Sequence, residues 1–200
     1  MKMWMKALTL GAAMIASPLA ATLTATPVEA RQAAANAQII QVAMRWDHRR
    51  EANTWTRSTM SAVSQTRLTR IIPHDIAQFC PGYAQGDRVQ RAAFWTGLLS
   101  AIAKHESTWN PRAAGGGGRY LGLMQISRGT WGHYGCGGNI RDGSDNLACA
   151  VRIMASQVGR DGVVGAGGRG GVARDWGPMK MQGKRADIAA WTRRQAYCQN

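Results

Sequence analysis

The chain has 200 residues, 45% of them hydrophobic, with 25 Lys and Arg against 11 Asp and Glu for a formal charge of +14. This length fits one domain plus a targeting segment, not a multidomain assembly. The charge points to an anionic partner, while four histidines scattered without ligand spacing and the absence of a C-x-x-C pair argue against a metal centre.

The start, Met1-Lys2-Met3-Trp4-Met5-Lys6, is positively charged. An apolar run from Ala7 to Ala16 follows, interrupted by Pro18, and Val28-Glu29-Ala30 offers a small-residue cleavage site. Residues 1–30 read as a secretory signal peptide. The apolar run is shorter than the roughly 20 residues of a membrane span, so no span is expected in the mature protein. Removing Lys2, Lys6 and Glu29 leaves 23 basic and 10 acidic residues, a charge of +13.

Residues 31–75 are expected to form an N-terminal helical extension, and 76–200 the main domain. Within the extension, 31–45 is Ala/Gln-rich and weakly patterned. Asp47 then suits an N-cap, and Ala52, Trp55, Thr59 and Val63 recur at helical spacing, which predicts a helix over 48–64. Trp46 and Trp55 are expected in the core. Pro73 to Gly86 reads as a loop carrying Cys80.

The strongest helix runs from Asp87, its expected cap, to Ser107. Trp95, Leu98, Leu99 and Ile102 form an apolar stripe, and Gly97 suits close packing. Glu106 follows Ile102 by four and continues that face. Pro111 biases Asn110 away from helical geometry. Residues 113–118 read as a flexible loop, and Leu121 to Trp131 includes a short helix. A further helix is expected from Ser144 to Gly159, a Gly-rich loop over 162–171, and a last helix from Asp187 to Gln195. No stretch alternates with period two. The expected fold is mainly α with long loops.

The cysteines Cys80, Cys136, Cys149 and Cys198 are even in number, and an exported chain meets an oxidising compartment, so two disulfides are expected. Three pairings are possible. Separation favours Cys136–Cys149 and Cys80–Cys198.

Only Glu29, Glu51 and Glu106 are glutamates, and Glu29 falls in the signal peptide. A carboxyl group at the end of an apolar face is partly desolvated, which raises its pKa and suits it to general acid chemistry. Ser107 is a candidate to hold that group by hydrogen bonding. His105 reads as a surface or supporting residue, because adjacent helical residues point about 100° apart. Asp142, Asp145 and Asp175 are candidate second carboxylates. Each suits capping or loop binding better, and Asp175 is the best of the three. The Gly165–Gly170 match to G-x-G-x-x-G follows no strand and reads as loop.

Glu106-Ser107-x-x-Asn110-Pro111-x-Ala113, a glycine loop, then Gly122-Leu123-Met124-Gln125-Ile126 resembles the catalytic region of the soluble-type lytic transglycosylases, the SLT domain of the lysozyme-like superfamily. Tyr134-Gly135 and Asn146-Leu147-x-x-Ala150-x-x-Ile153 extend the resemblance, which covers about 90 to 180. It implies a lysozyme-like domain, a glycosidic-bond lyase acting on peptidoglycan, and Glu106 as a single acid/base forming 1,6-anhydro-N-acetylmuramic acid. It also implies a sugar groove drawing on Ser107, Tyr120, Gly122, Leu123, Met124, Gln125, Tyr134 and Trp176. No cofactor, metal or nucleic acid is implied; an exported, periplasmic monomer bound to glycan strands is expected.

Two positions depart from the family pattern. The loop before Gly122 is one residue longer and carries Arg119-Tyr120-Leu121 in place of small residues. Arg174 stands where the family has a tyrosine next to the glutamate, so either Tyr120 or Tyr134 replaces it, or Arg174 tunes the acid. The competing readings are a hydrolytic muramidase using Glu106 with Asp175, and an inactive wall-binding or secretion-accessory module.

Overall fold

The computed structural model describes residues 26–28, 31 and 42–199. Most of the expected signal peptide, and residues 32–41 of the extension, lie outside the described residues. Six α-helices organise the described part: α1 (Ala52–Ser64), α2 (Arg88–Ser107), α3 (Arg128–His133), α4 (Gly143–Asp161), α5 (Gly177–Lys180) and α6 (Gln182–Arg193). Three two-residue strands, β1 (Ala114–Gly115), β2 (Tyr120–Leu121) and β3 (Ile126–Ser127), form an antiparallel sheet in the order β1-β2-β3. The fold is a mainly helical, lysozyme-like domain with long connections.

Helix α2 is the axis of the molecule. Asp87 starts it with a capping box: its carboxylate accepts from the Gln90 amide, and the Gln90 side chain accepts from the Asp87 amide. Every residue from Ala92 to Ala103 is buried, so the expected stripe is a helix enclosed on all sides. Helices α1, α5 and α6 pack against it, and α1 also lies along α4. Gly97 makes one of these contacts possible, because a Cβ there would run into the Tyr197 hydroxyl and the Trp191 ring.

The core is one continuous cluster that begins at Met44 and Trp46 and ends at Tyr197 and Cys198. Trp46 and Trp55 lie within it, edge to face, and the Trp46 indole N–H donates to Thr56 Oγ1 at 2.9 Å. Disulfides join Cys80 to Cys198 and Cys136 to Cys149, the pairing that sequence separation favoured.

Some local expectations need correction. Asp47 does not cap α1; its carboxylate accepts from the Met44 amide at 2.8 Å inside a tight turn, and α1 starts after Glu51 with no side-chain cap. The glycine loop contains β1 and a 3-10 turn over Gly116–Gly118. Strands of two residues are too short to leave a period-two pattern. The last helix begins at Gln182, one and a half turns before Asp187.

Candidate active site

Helix α2 stops abruptly after Glu106. Thr108 and Trp109 are both left-handed, with φ of 51° and 56°, and their amides both return to the Ala103 carbonyl. Two consecutive non-glycine residues in that region carry backbone strain. The Trp109 indole helps to hold them, donating to the Ser100 carbonyl at 2.9 Å. The chain is thereby turned away, and the Glu106 side chain faces an open cleft.

That cleft has a volume of about 470 Å³. Glu106 and His105 line it from α2, Gly115 and Gly116 from β1 and its turn, Tyr120 and Gln125 from the sheet region, and Asp175, Gly177, Pro178, Lys180, Met181 and Lys184 from the α5–α6 corner. A smaller recess shares Tyr120, Gln125 and Asp175 with it and adds Met124, Ile126 and Trp176. Glycan-sized ligands need such an extended, polar-rimmed depression.

Burial raises the Glu106 carboxyl from its ordinary value near 4.5 to about 7, and the Lys184 ammonium opposes that rise. Among the described residues, nothing hydrogen-bonds to the Glu106 carboxyl group. A carboxylic acid that is protonated near neutrality, unpaired and open to a cleft is equipped to give a proton to a ligand and take one back.

The surrounding positions are fixed by backbone bonding. Gln125 has a left-handed backbone, φ 48°, and its side-chain amide donates to the Gly122 carbonyl at 2.8 Å and the Ala113 carbonyl at 3.3 Å. Asn146, fully buried in α4, accepts from the Met124 amide at 2.8 Å and donates to the carbonyls of Leu121 and Ile140. Gly122 must be glycine: its φ is 80°, and a Cβ would strike Asn146. Trp176 braces the same loop from beneath, donating to the Met124 carbonyl at 3.0 Å.

The sequence-derived candidates therefore divide. Glu106, Tyr120 and Gln125 meet in the cleft. Met124 and Trp176 line the recess beside it, although both are almost wholly buried. Gly122 and Leu123 are buried supports of the loop. Ser107 does not hold Glu106; its hydroxyl bonds back to the Ala103 carbonyl at 3.3 Å, the usual recourse of a helical serine. Tyr134 lies outside the cleft, where its hydroxyl accepts from Gln157. Arg174 is also elsewhere, paired with Asp161 at 2.5 Å. Of the residues considered for the missing tyrosine's place, Tyr120 alone lines the cleft with Glu106.

Asp142 caps α4, accepting from the amides of Ser144 and Asp145, and Asp145 accepts from the Asn139 amide. Asp175 lines the cleft, and its carboxylate accepts from Gln157 at 2.6 Å. Periodicity gave no sign of Lys180 or Lys184. Their place depends on α6 folding back along α2, where Asp187 is gripped by Arg45 at 2.7 and 3.0 Å, by His105 at 2.7 Å and by Lys104 at 3.5 Å. Among the described residues, no three His, Cys, Asp or Glu side chains gather where they would hold a metal ion.

A helical domain built around one buried axis, with a lone acid at its end facing a groove, has the architecture of the lysozyme-like proteins. Residues 85–164 match the Transglycosylase SLT domain model. Three solved structures of Bd0314 DslA are similar in fold. One glutamate-to-glutamine mutant has a TM-score of 0.71 at 27% identity over 80% of this chain and 99% of that one. A second such mutant has 0.72 at 28% over 79% and 98%, and wild-type form 2 has 0.70 at 28% over 79% and 98%. No curated protein matches the chain. The SLT domain supports a lytic-transglycosylase-like action on peptidoglycan.

Proposed function

We propose that the protein is an exported, periplasmic peptidoglycan lytic transglycosylase in which Glu106 is the single acid/base. The observation that carries this reading is the unpaired Glu106 carboxyl, raised to about 7 by burial, in a cleft walled by Tyr120 and Gln125. Glu106 gives its proton to the glycosidic oxygen between N-acetylmuramic acid and N-acetylglucosamine, and that bond breaks. The resulting carboxylate takes the proton of the muramic C6 hydroxyl as its oxygen bonds to C1, which closes the 1,6-anhydro ring and restores the acid. Other glycosidases need a second carboxylate to activate water or to attack. Here the nucleophile belongs to the substrate, and its proximity replaces that group. Gln125 and Tyr120 contact the glycan, with Met124 and Trp176 at the adjoining recess.

Two disulfides and an SLT domain fit an extracytoplasmic enzyme. In this reading residues 1–30 are a cleaved signal peptide, 31–75 is an extension that completes the core, and the mature protein works as a monomer. Among the described residues, no helix is long and apolar enough to cross a membrane.

A hydrolytic second reading is kept because Asp175 lines the same cleft as Glu106. Mass spectrometry of digested peptidoglycan separates the two. The transglycosylase yields anhydromuropeptides, each lighter by one water than the hydrolytic product, and Asp175→Asn keeps a substantial part of the activity. Glu106→Gln loses about two to four powers of ten. Reducing-end products that vanish with Asp175→Asn establish the muramidase instead, and binding without soluble fragments establishes a wall-binding module.

A further inference from the structure

A second cavity of about 400 Å³ shares no lining residue with the Glu106 cleft. Arg49, Arg50, Glu51 and Trp55 line it from the N-terminal side of the chain, outside the SLT match. Asn110, Pro111 and Arg112, which follow α2, and Arg141, Asp142 and Gly143, which open α4, form the facing wall. The site therefore exists only where the N-terminal segment meets the SLT domain.

Its chemistry is one-sided. Four arginines face two carboxylates, and both carboxylates are engaged. Asp142 caps α4 with bonds to two amides, and Glu51 lies 3.8 Å from Arg50. Among the described residues, Arg49, Arg112 and Arg141 make no ion pair. The Arg49 Nε–H is buried without a hydrogen-bond partner. Trp55 is only 3% exposed, and its indole N–H finds no acceptor among the described residues. Guanidinium and indole groups only donate. A buried donor left unsatisfied is costly, and the Arg49 Nε–H beside guanidinium groups without ion pairs favours a ligand that supplies acceptors. Guanidinium forks match planar and tetrahedral oxyanions through paired hydrogen bonds.

We infer that this arginine-walled cavity binds a compact oxyanion, a carboxylate or a phosphate group, held by Arg49, Arg112, Arg141 and the Trp55 indole. The inference does not depend on the chemistry at Glu106.

The test is a titration of the full mature protein, ¹⁵N-labelled, followed at the Trp55 indole N–H and the Arg141 amide. Inorganic phosphate and sodium acetate are the two probes, with sodium chloride at matched ionic strength as reference. Saturable shifts with phosphate or acetate, beyond those with chloride, are expected, and the tighter probe identifies the source chemistry. Arg112→Gln with Arg141→Gln changes two exposed side chains and is expected to weaken binding by at least about tenfold. Trp55→Phe keeps the ring, removes the donor and is expected to weaken binding as well. Shifts that only track ionic strength overturn the site. So does unchanged affinity in a folded Arg112→Gln/Arg141→Gln protein.

Discussion

Glu106 sets the pH behaviour of the cleft. Burial raises its carboxyl to about 7, so the acid form is present below that pH and is lost as pH rises through it. The wild-type kcat/KM on peptidoglycan should fall above pH 7 by about tenfold per pH unit. Lys184 opposes the burial effect. Lys184→Met therefore raises the pKa further and should move the alkaline limb to higher pH; a limb that stays in place or moves lower contradicts this assignment. Glu106 was legible in the sequence because glutamate is scarce and this one ends the most apolar helix. Lys184 was not, because its relation to Glu106 spans 78 positions and is made by tertiary folding alone. Arg174 shows the converse: alignment to the family placed it beside the acid, whereas the local pull of Asp161 takes it away.

At the scale of elements, the cleft is a set of walls clamped to α2 and α4. Asp187 clamps α6, with Arg45 holding its carboxyl well below the usual carboxylate range and His105 and Lys104 adding to the effect. A depressed carboxylate stabilises the fold above its unfolded pKa, and that contribution is lost as pH falls through the folded value. Asp187 is partly exposed, so solvent screening limits Asp187→Ala to a cost of about 1 kcal/mol at pH 7. The difference from wild type in urea denaturation should shrink at strongly acid pH, and activity should fall as the α6 wall of the cleft loosens. Asn146 clamps the other wall. Asn146→Ala orphans the Met124 amide and two carbonyls, and should cost roughly 2–4 kcal/mol in the same assay. Long helices such as α2 and α4 were readable because their caps and periodicity agree. Strands β1–β3 and helix α5 were not, since two to four residues hold too little pattern and their shape comes from Gln125, Asn146 and Trp176.

Across the whole molecule, a single core runs from Met44 to Cys198, and Cys80–Cys198 closes a loop spanning 118 positions over it. Cysteine number and spacing were enough to favour this pairing, because a short and a long loop were the natural division. Cys80→Ser with Cys198→Ser should lower stability by about 2–5 kcal/mol, read as a fall in Tm. The Cys136–Cys149 loop spans only 13 positions and should contribute less.

The seat of Tyr197 against Gly97 also bears on the order in which the molecule is assembled. The flank of α2 is sealed by Thr192 and Tyr197: the Tyr197 hydroxyl donates to the Ala43 carbonyl, and Thr192 Oγ1 donates to the Phe79 carbonyl at 2.7 Å. A chain in which residues 192–197 have not yet docked has none of these contacts. The helix that carries Glu106 is then left with an open side. The helix that carries Glu106 is thereby expected to settle late in folding, because one of its walls is supplied by Tyr197, 100 positions beyond Gly97.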